Sequence, residues 1–101
     1  MATYGDRLIA KHPGRIPVVC VLHGDVQLNR TRYLVDGNSH IGDLLSMIHK
    51  HTKTHRFEAV FVFVNNTLLP NSETFYRAYE AHKNDEDGLL YVHLRKEATF
   101  G

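Results

Sequence analysis

Three histidines, His49, His51 and His55, crowd one short stretch, and the last two stand four apart. At that spacing two imidazoles share a helix face and can hold zinc. No Cys pair, no third ligand at a recognisable spacing and no Glu placed as a base accompanies them, so solvated histidines at a helix end explain the cluster better, and no metal is expected. Cys20, the single cysteine, lies inside Val18-Val19-Cys20-Val21-Leu22. An apolar strand hides a thiol and raises its pKa, which argues against a catalytic thiolate. The chain shows no set of nucleophile, base and orienter, no Gly-rich phosphate loop and no carboxylate pair. No catalytic residue and no cofactor are expected, and the chain does not read as an enzyme. The run His49 to Arg56 is a local basic patch able to touch phosphates or anionic headgroups. No aromatic residues interleave it, so a nucleic-acid partner is not expected. The terminal Phe100-Gly101 offers a carboxylate on the least restricted backbone. Taken alone, though, a six-residue tail reads as a frayed end.

The elements that position these residues are laid around Arg32–His51. Tyr33, Leu34 and Val35 are strand formers, Asp36-Gly37-Asn38 breaks the strand, and Ile41, Leu44, Leu45 and Ile48 recur at i, i+3, i+4, i+7. Asn38, Ser39 or His40 can cap this helix, expected over 41–54, and Asp43 suits its first turn. Upstream, Asp6 to Lys11 has room for about two helical turns before Pro13. Ile16 to Leu22 reads as a buried strand with Pro17 near its start, and Val26 to Val35 as its hairpin partner. Downstream come a strand at Val60 to Val64 and an Asn65-Asn66 turn. A second helix opens at Pro70-Asn71-Ser72, with Phe75, Ala78, Tyr79 and His82 on one face. Lys83 to Gly88 is a polar loop, and Leu89 to Leu94 the last strand.

Two strands before the first long helix favour an α+β, β-grasp (ubiquitin-like) plan over a ferredoxin-like one. The expected form is a mixed four-stranded sheet with a long helix packed across it. At 101 residues, residues 1–101 make one domain, with 1–10 a short arm and 96–101 a flexible tail. Twelve Lys+Arg against eleven Asp+Glu exclude a polyanion partner held by bulk charge. A lone cysteine and the absence of any long apolar run point to a reducing, cytoplasmic setting. A monomer is expected.

Four ordered motifs carry a resemblance. They are Lys11-His12-Pro13-Gly14-Arg15-Ile16-Pro17-Val18, Arg32-Tyr33-Leu34-Val35, Phe61-Val62-Phe63-Val64-Asn65-Asn66 followed by Pro70, and Leu90-Tyr91 leading to Phe100-Gly101. Together they resemble the autophagy-related protein eight family, which includes GABARAP. The resemblance implies a ubiquitin-like modifier whose Gly101 is activated and passed on by the enzymes of a conjugation pathway. It is then joined to phosphatidylethanolamine, placing the protein on the autophagosomal membrane, where cargo receptors and adaptors bring a short aromatic-x-x-aliphatic motif. Carried over residue by residue, Leu8, Pro17, Val19, Arg32, Leu34 and Leu89 would line the aromatic pocket. Tyr33, Val35, Leu44, Met47 and Ile48 would line the aliphatic one, and Arg15, Arg30, Arg32 and His51 would attract the acidic flank. From periodicity alone the same apolar residues read as ordinary core.

The chain also departs from the family pattern. Ten residues precede Lys11, so the first family helix is expected to be absent and the second short, and residues 1–5 to add little stability. Asp36-Gly37-Asn38-Ser39 stands where the family has a Pro and a Leu, and Gly88 replaces a bulky aromatic. The sister family, autophagy-related protein twelve, shares the fold and is joined to a protein lysine; it is the second choice. An unconjugated β-grasp interaction module is the third.

Overall fold

The structure, a computed structural model, describes residues 1–24, 26–51 and 60–96, His51 by its backbone alone. The described residues form α1 (Tyr4–Lys11), β1 (Arg15–Leu22), β2 (Arg32–Asp36), α2 (Ile41–His51), β3 (Phe61–Val64), β4 (Thr67–Leu68), α3 (Phe75–His82) and β5 (Leu90–Arg95). The sheet order is β2-β1-β5-β3-β4, with β1 and β5 parallel at the centre and the other pairs antiparallel. This is the mixed α+β sheet expected from the sequence, with one strand more. Asn65 and Asn66 adopt φ of 49° and 62°, and the tight turn folds Thr67–Leu68 back onto β3 as a two-residue edge.

The core fills one face of the sheet. Ile16, Val18 and Cys20 of β1 and Leu90, Val92 and Leu94 of β5 alternate inward, opposite Ile41, Leu44, Leu45 and Ile48 of α2 and Phe75, Ala78 and Tyr79 of α3. Burial pushes the Cys20 thiol up to about 12. Both long-sheet helices begin by borrowing acceptors from neighbouring loops. The N–H groups of Ile41 and Gly42 donate to the carbonyls of Glu73 and Asn71, and those of Phe75 and Tyr76 to Ser39 and Gly37. Thus the segment expected to open α3 is instead the cap of α2, and α3 starts at Phe75 behind its own cap, Thr74.

The hairpin strand is shorter than its sequence suggests, beginning at Arg32 rather than Val26. Val26 is 3% exposed within the core, and Leu28 packs against it. In a continuous strand both would share the face of Arg32 and Leu34, which points away from the core. Burying them therefore requires a break in alternation before β2.

The amino-terminal arm is also more firmly attached than expected. Thr3 and Asp6 form a reciprocal capping box that starts α1 two residues earlier than the apolar pattern indicates. The Gly5 N–H donates to the Asp87 carbonyl at 2.7 Å. A Cβ on Gly5 would lie 1.9 Å from the Gly88 oxygen, and one on Gly88 would lie 2.1 Å from Thr3 Oγ1. Two glycines thus let α1 dock directly on the turn that leads into β5, and Thr3 to Gly5 pack there while Met1 and Ala2 stay exposed.

On the sheet face turned away from α2, His23 Nε2 and His93 Nδ1 share a hydrogen bond of 2.8 Å, their rings stacked at 5.1 Å. Desolvation, then the charges of His23 and Arg95, lower the pKa of His93 below its ordinary 6.5.

Two outcomes follow from this packing. Gly24 and Gly88 both have positive φ, but only Gly88 is crowded. Alanine at either position should cost about 1–2 kcal/mol for the left-handed backbone, and Gly88→Ala should cost clearly more in urea unfolding. Equal losses would show that α1 is not held by this contact. For His93, the unfolded chain takes the proton first as pH falls below 6.5. The contribution of His93 to stability is therefore complete above that value and is lost as pH falls through the lowered one. Wild type should lose more stability than His93→Gln between about pH 7.5 and 5.5; parallel losses would clear the pair of responsibility.

Candidate functional site

Strand β2 is one edge of the sheet. Its register with β1 pairs Arg32 with Val19, Tyr33 with Val18, Leu34 with Pro17 and Val35 with Ile16. The flanking bonds, Cys20 N–H to Thr31 O and Gly37 N–H to Gly14 O, belong to the same register. Antiparallel pairs alternate between bonded and non-bonded, so Tyr33 and Val35 bond inward to β1. Arg32 and Leu34 then turn their N–H and C=O groups outward, onto the free edge. By the parallel register with β5, Pro17 would have faced the Gly88 carbonyl; that carbonyl accepts the Tyr79 hydroxyl at 2.6 Å, so the missing proline donor leaves nothing unpaired.

Beside this edge, between α1 and the sheet, lies a cleft of about 410 Å³, within the size range of small-ligand pockets. Leu8, Pro17, Val19, Arg32, Leu34 and Leu89, the six residues expected at the aromatic pocket, all line it. Arg30, expected at the acidic flank, lines it too. Tyr33, expected at the other pocket, also borders it, and donates its hydroxyl to the Arg30 carbonyl at 2.8 Å. Val18 and Tyr4 complete the wall. Tyr4 escaped the sequence reading because the helix was begun at Asp6. The Thr3-x-x-Asp6 spacing was the available signal, since it makes Tyr4 helical and places it four residues before Leu8.

Of the five residues expected at the aliphatic pocket, Tyr33 alone lines this cleft. Leu44 and Ile48 are 3% and 0% exposed, in the core, and Tyr33, Val35 and Met47 pack half-buried against that core. The resemblance names Leu44 and Ile48 for that pocket, while their helical period alone reads as core, and both are buried.

Two cationic groups, Arg30 and Arg32, line the cleft. Arg15, Arg30 and Arg32 are exposed, and among the described residues none of them forms an ion pair. The Asp87 carboxylate accepts from the Tyr91 hydroxyl and from the Leu89 N–H. Those bonds, with the Arg32 charge a lesser contributor, hold Asp87 below the usual carboxylate range; the bond to Asp87 pushes Tyr91 up. No carboxylate lines the cleft itself. The His51 side chain, His55 and Gly101 lie outside the described residues. Among the described residues no group of three or more His, Cys, Asp or Glu is placed to hold a metal ion, and no helix is long and apolar enough to cross a membrane.

Comparison with known proteins agrees with this geometry. The family model described as "Autophagy protein Atg8 ubiquitin like" matches residues 2–101. Autophagy-related protein 8 of Kluyveromyces lactis is 38% identical over 99 residues, covering 95% of this chain and 79% of the relative. Autophagy-related protein 8b of Arabidopsis thaliana is 41% identical over 98 residues, covering 94% and 80%. The crystal structure of Trypanosoma brucei ATG8 superposes with a TM-score of 0.82 at 32% identity, covering 96% of this chain and 85% of that one. With its mixed sheet, α2 packed across it and a match along nearly its whole length, the chain belongs to the Atg8 family of ubiquitin-like proteins of autophagy.

Proposed function

We propose that this ubiquitin-like modifier is joined through Gly101 to phosphatidylethanolamine and then recruits cargo receptors and adaptors by a short peptide laid along β2. The observation that carries the peptide reading is the free edge. Arg32 and Leu34 present unpaired main-chain groups outward, and their side chains line the adjoining cleft. An extended peptide adds a strand there, main-chain bonds supplying much of the affinity and the cleft the selectivity. Its aromatic residue enters the cleft, and its aliphatic residue lies on Tyr33, Val35 and Met47 with the buried Leu44 and Ile48 beneath. Acidic residues of the peptide meet Arg15, Arg30 and Arg32, whose charges no described carboxylate pairs. His51 is a further candidate for that flank. Exposed pairs of this kind contribute about 0–1 kcal/mol each, so they steer more than they hold.

The lipid reading rests on the family and on chemistry. A free carboxylate is a poor electrophile, so joining it to an amine requires prior activation, as an acyl-adenylate and then a thioester on other proteins. Gly101 has no side chain to obstruct that passage. Attachment to the autophagosomal membrane then comes from the acquired lipid.

Leu34 is 37% exposed, so Leu34→Asp should leave the fold intact and weaken binding of an aromatic-x-x-aliphatic peptide at least about tenfold, through loss of an apolar wall and repulsion of an acidic flank. Calorimetry on the folded variant checks this; unchanged affinity would remove the groove. Deleting Gly101 should preserve folding and peptide binding while eliminating the lipid-shifted species in a reconstitution with activating and transfer enzymes, ATP and liposomes. A shifted species formed without Gly101 would refute the conjugation reading.

A further inference from the structure

The cleft is walled mainly by Leu8, Pro17, Val19, Leu34 and Leu89. Aliphatic walls reward apolar area and respond weakly to whether the guest ring is aromatic or saturated. A preference for an aromatic guest needs groups that sense a ring quadrupole, such as another aromatic ring or a cation. The guanidiniums of Arg30 and Arg32 are exposed and long-stemmed. Tyr33 packs its ring against the core and commits its hydroxyl to the Arg30 carbonyl.

Tyr4 differs from these. It opens α1, lines the cleft and leaves 51% of its surface exposed. Its backbone is fixed from both sides: Thr3 is bound into the capping box, and Gly5 is pressed against Gly88 and bonded to the Asp87 carbonyl. The turn that holds it, 87–88, runs directly into Leu89, the opposite contribution to the same cleft. The ring is therefore presented to the cleft on a backbone with little freedom, which lowers the ordering cost of stacking against a guest.

We propose that Tyr4 is the residue that makes the cleft select an aromatic anchor over a saturated one, and that the Gly5–Gly88 contact fixes it in place. This rests on the groove reading above. Two peptides identical except for phenylalanine or cyclohexylalanine at the anchor, each with an acidic flank, test the effect, because both rings have six carbons and similar breadth and only one carries π-electrons; comparing the two across variants cancels their difference in thickness. Affinities are measured by fluorescence anisotropy for wild type, Tyr4→Leu and Tyr4→Phe, with folding of each checked by circular dichroism. Tyr4→Leu should lower the preference for phenylalanine over cyclohexylalanine by roughly three- to tenfold, the worth of one aromatic pair. Tyr4→Phe should keep it. An unchanged preference in Tyr4→Leu, or an equal drop in Tyr4→Phe, overturns the assignment to the Tyr4 ring. Failure of folded wild type to bind either peptide overturns the groove reading instead.

Discussion

Strand β1 is bonded along both edges, antiparallel to β2 and parallel to β5, and nearly everything else follows from that double commitment. A strand has two faces and a period of two, so its even-numbered residues from Ile16 to Cys20 all enter the core, while Pro17 and Val19 open onto the cleft. The same alternation fixes β2. With Tyr33 and Val35 bonded inward, Arg32 and Leu34 face outward with both backbone and side chain. A slip of one residue between β1 and β2 would exchange the two sets, placing Arg32 in the core and Val35 at the cleft. Site and stability are therefore not separable: the hydrophobic burial that sets the register also sets which side chains a partner meets.

How far this was legible in the sequence depended on whether a feature was local and periodic. The i, i+3, i+4, i+7 series from Ile41 to Ile48 specified α2, short apolar runs and strand-forming residues marked the strands, and two strands ahead of the helix pointed to the β-grasp order. The six residues that line the cleft were named by likeness of motifs, since alternation alone cannot say whether Leu34 faces core or solvent. Leu44 and Ile48 were likewise named by likeness of motifs, and their helical period alone marks them as core, where they are buried. Contacts distant in sequence left no local trace. Gly5 and Gly88 look like ordinary helix-start and turn glycines until folding brings them together. Val26 shows only as one more apolar residue before β2, although its burial is what shortens the strand.

The polar and titratable groups near the core and the cleft are largely engaged within the fold. Burial takes the Cys20 thiol up to about 12, so it stays protonated at neutral pH. The buried side chains among the described residues are apolar or, like Tyr79, bonded within the fold. The Asp87 carboxylate is occupied by Tyr91 and Leu89. What remains outward at the edge is the guanidinium donors and the β2 main chain, with its N–H donors and C=O acceptors.

Gly88 shows how a departure from the family pattern and a feature of this fold belong together. Where the resemblance leads one to expect a bulky aromatic, this chain has a glycine at φ 72° whose Cβ position is already filled by Thr3. An aromatic side chain there would have to displace the start of α1, and with it the capping box and Tyr4. Tyr4 lines the cleft from α1, four residues before Leu8 on the same helix face. The Gly5–Gly88 contact makes that placement sterically possible, because only a backbone without Cβ atoms lets the helix come this close to the turn before β5.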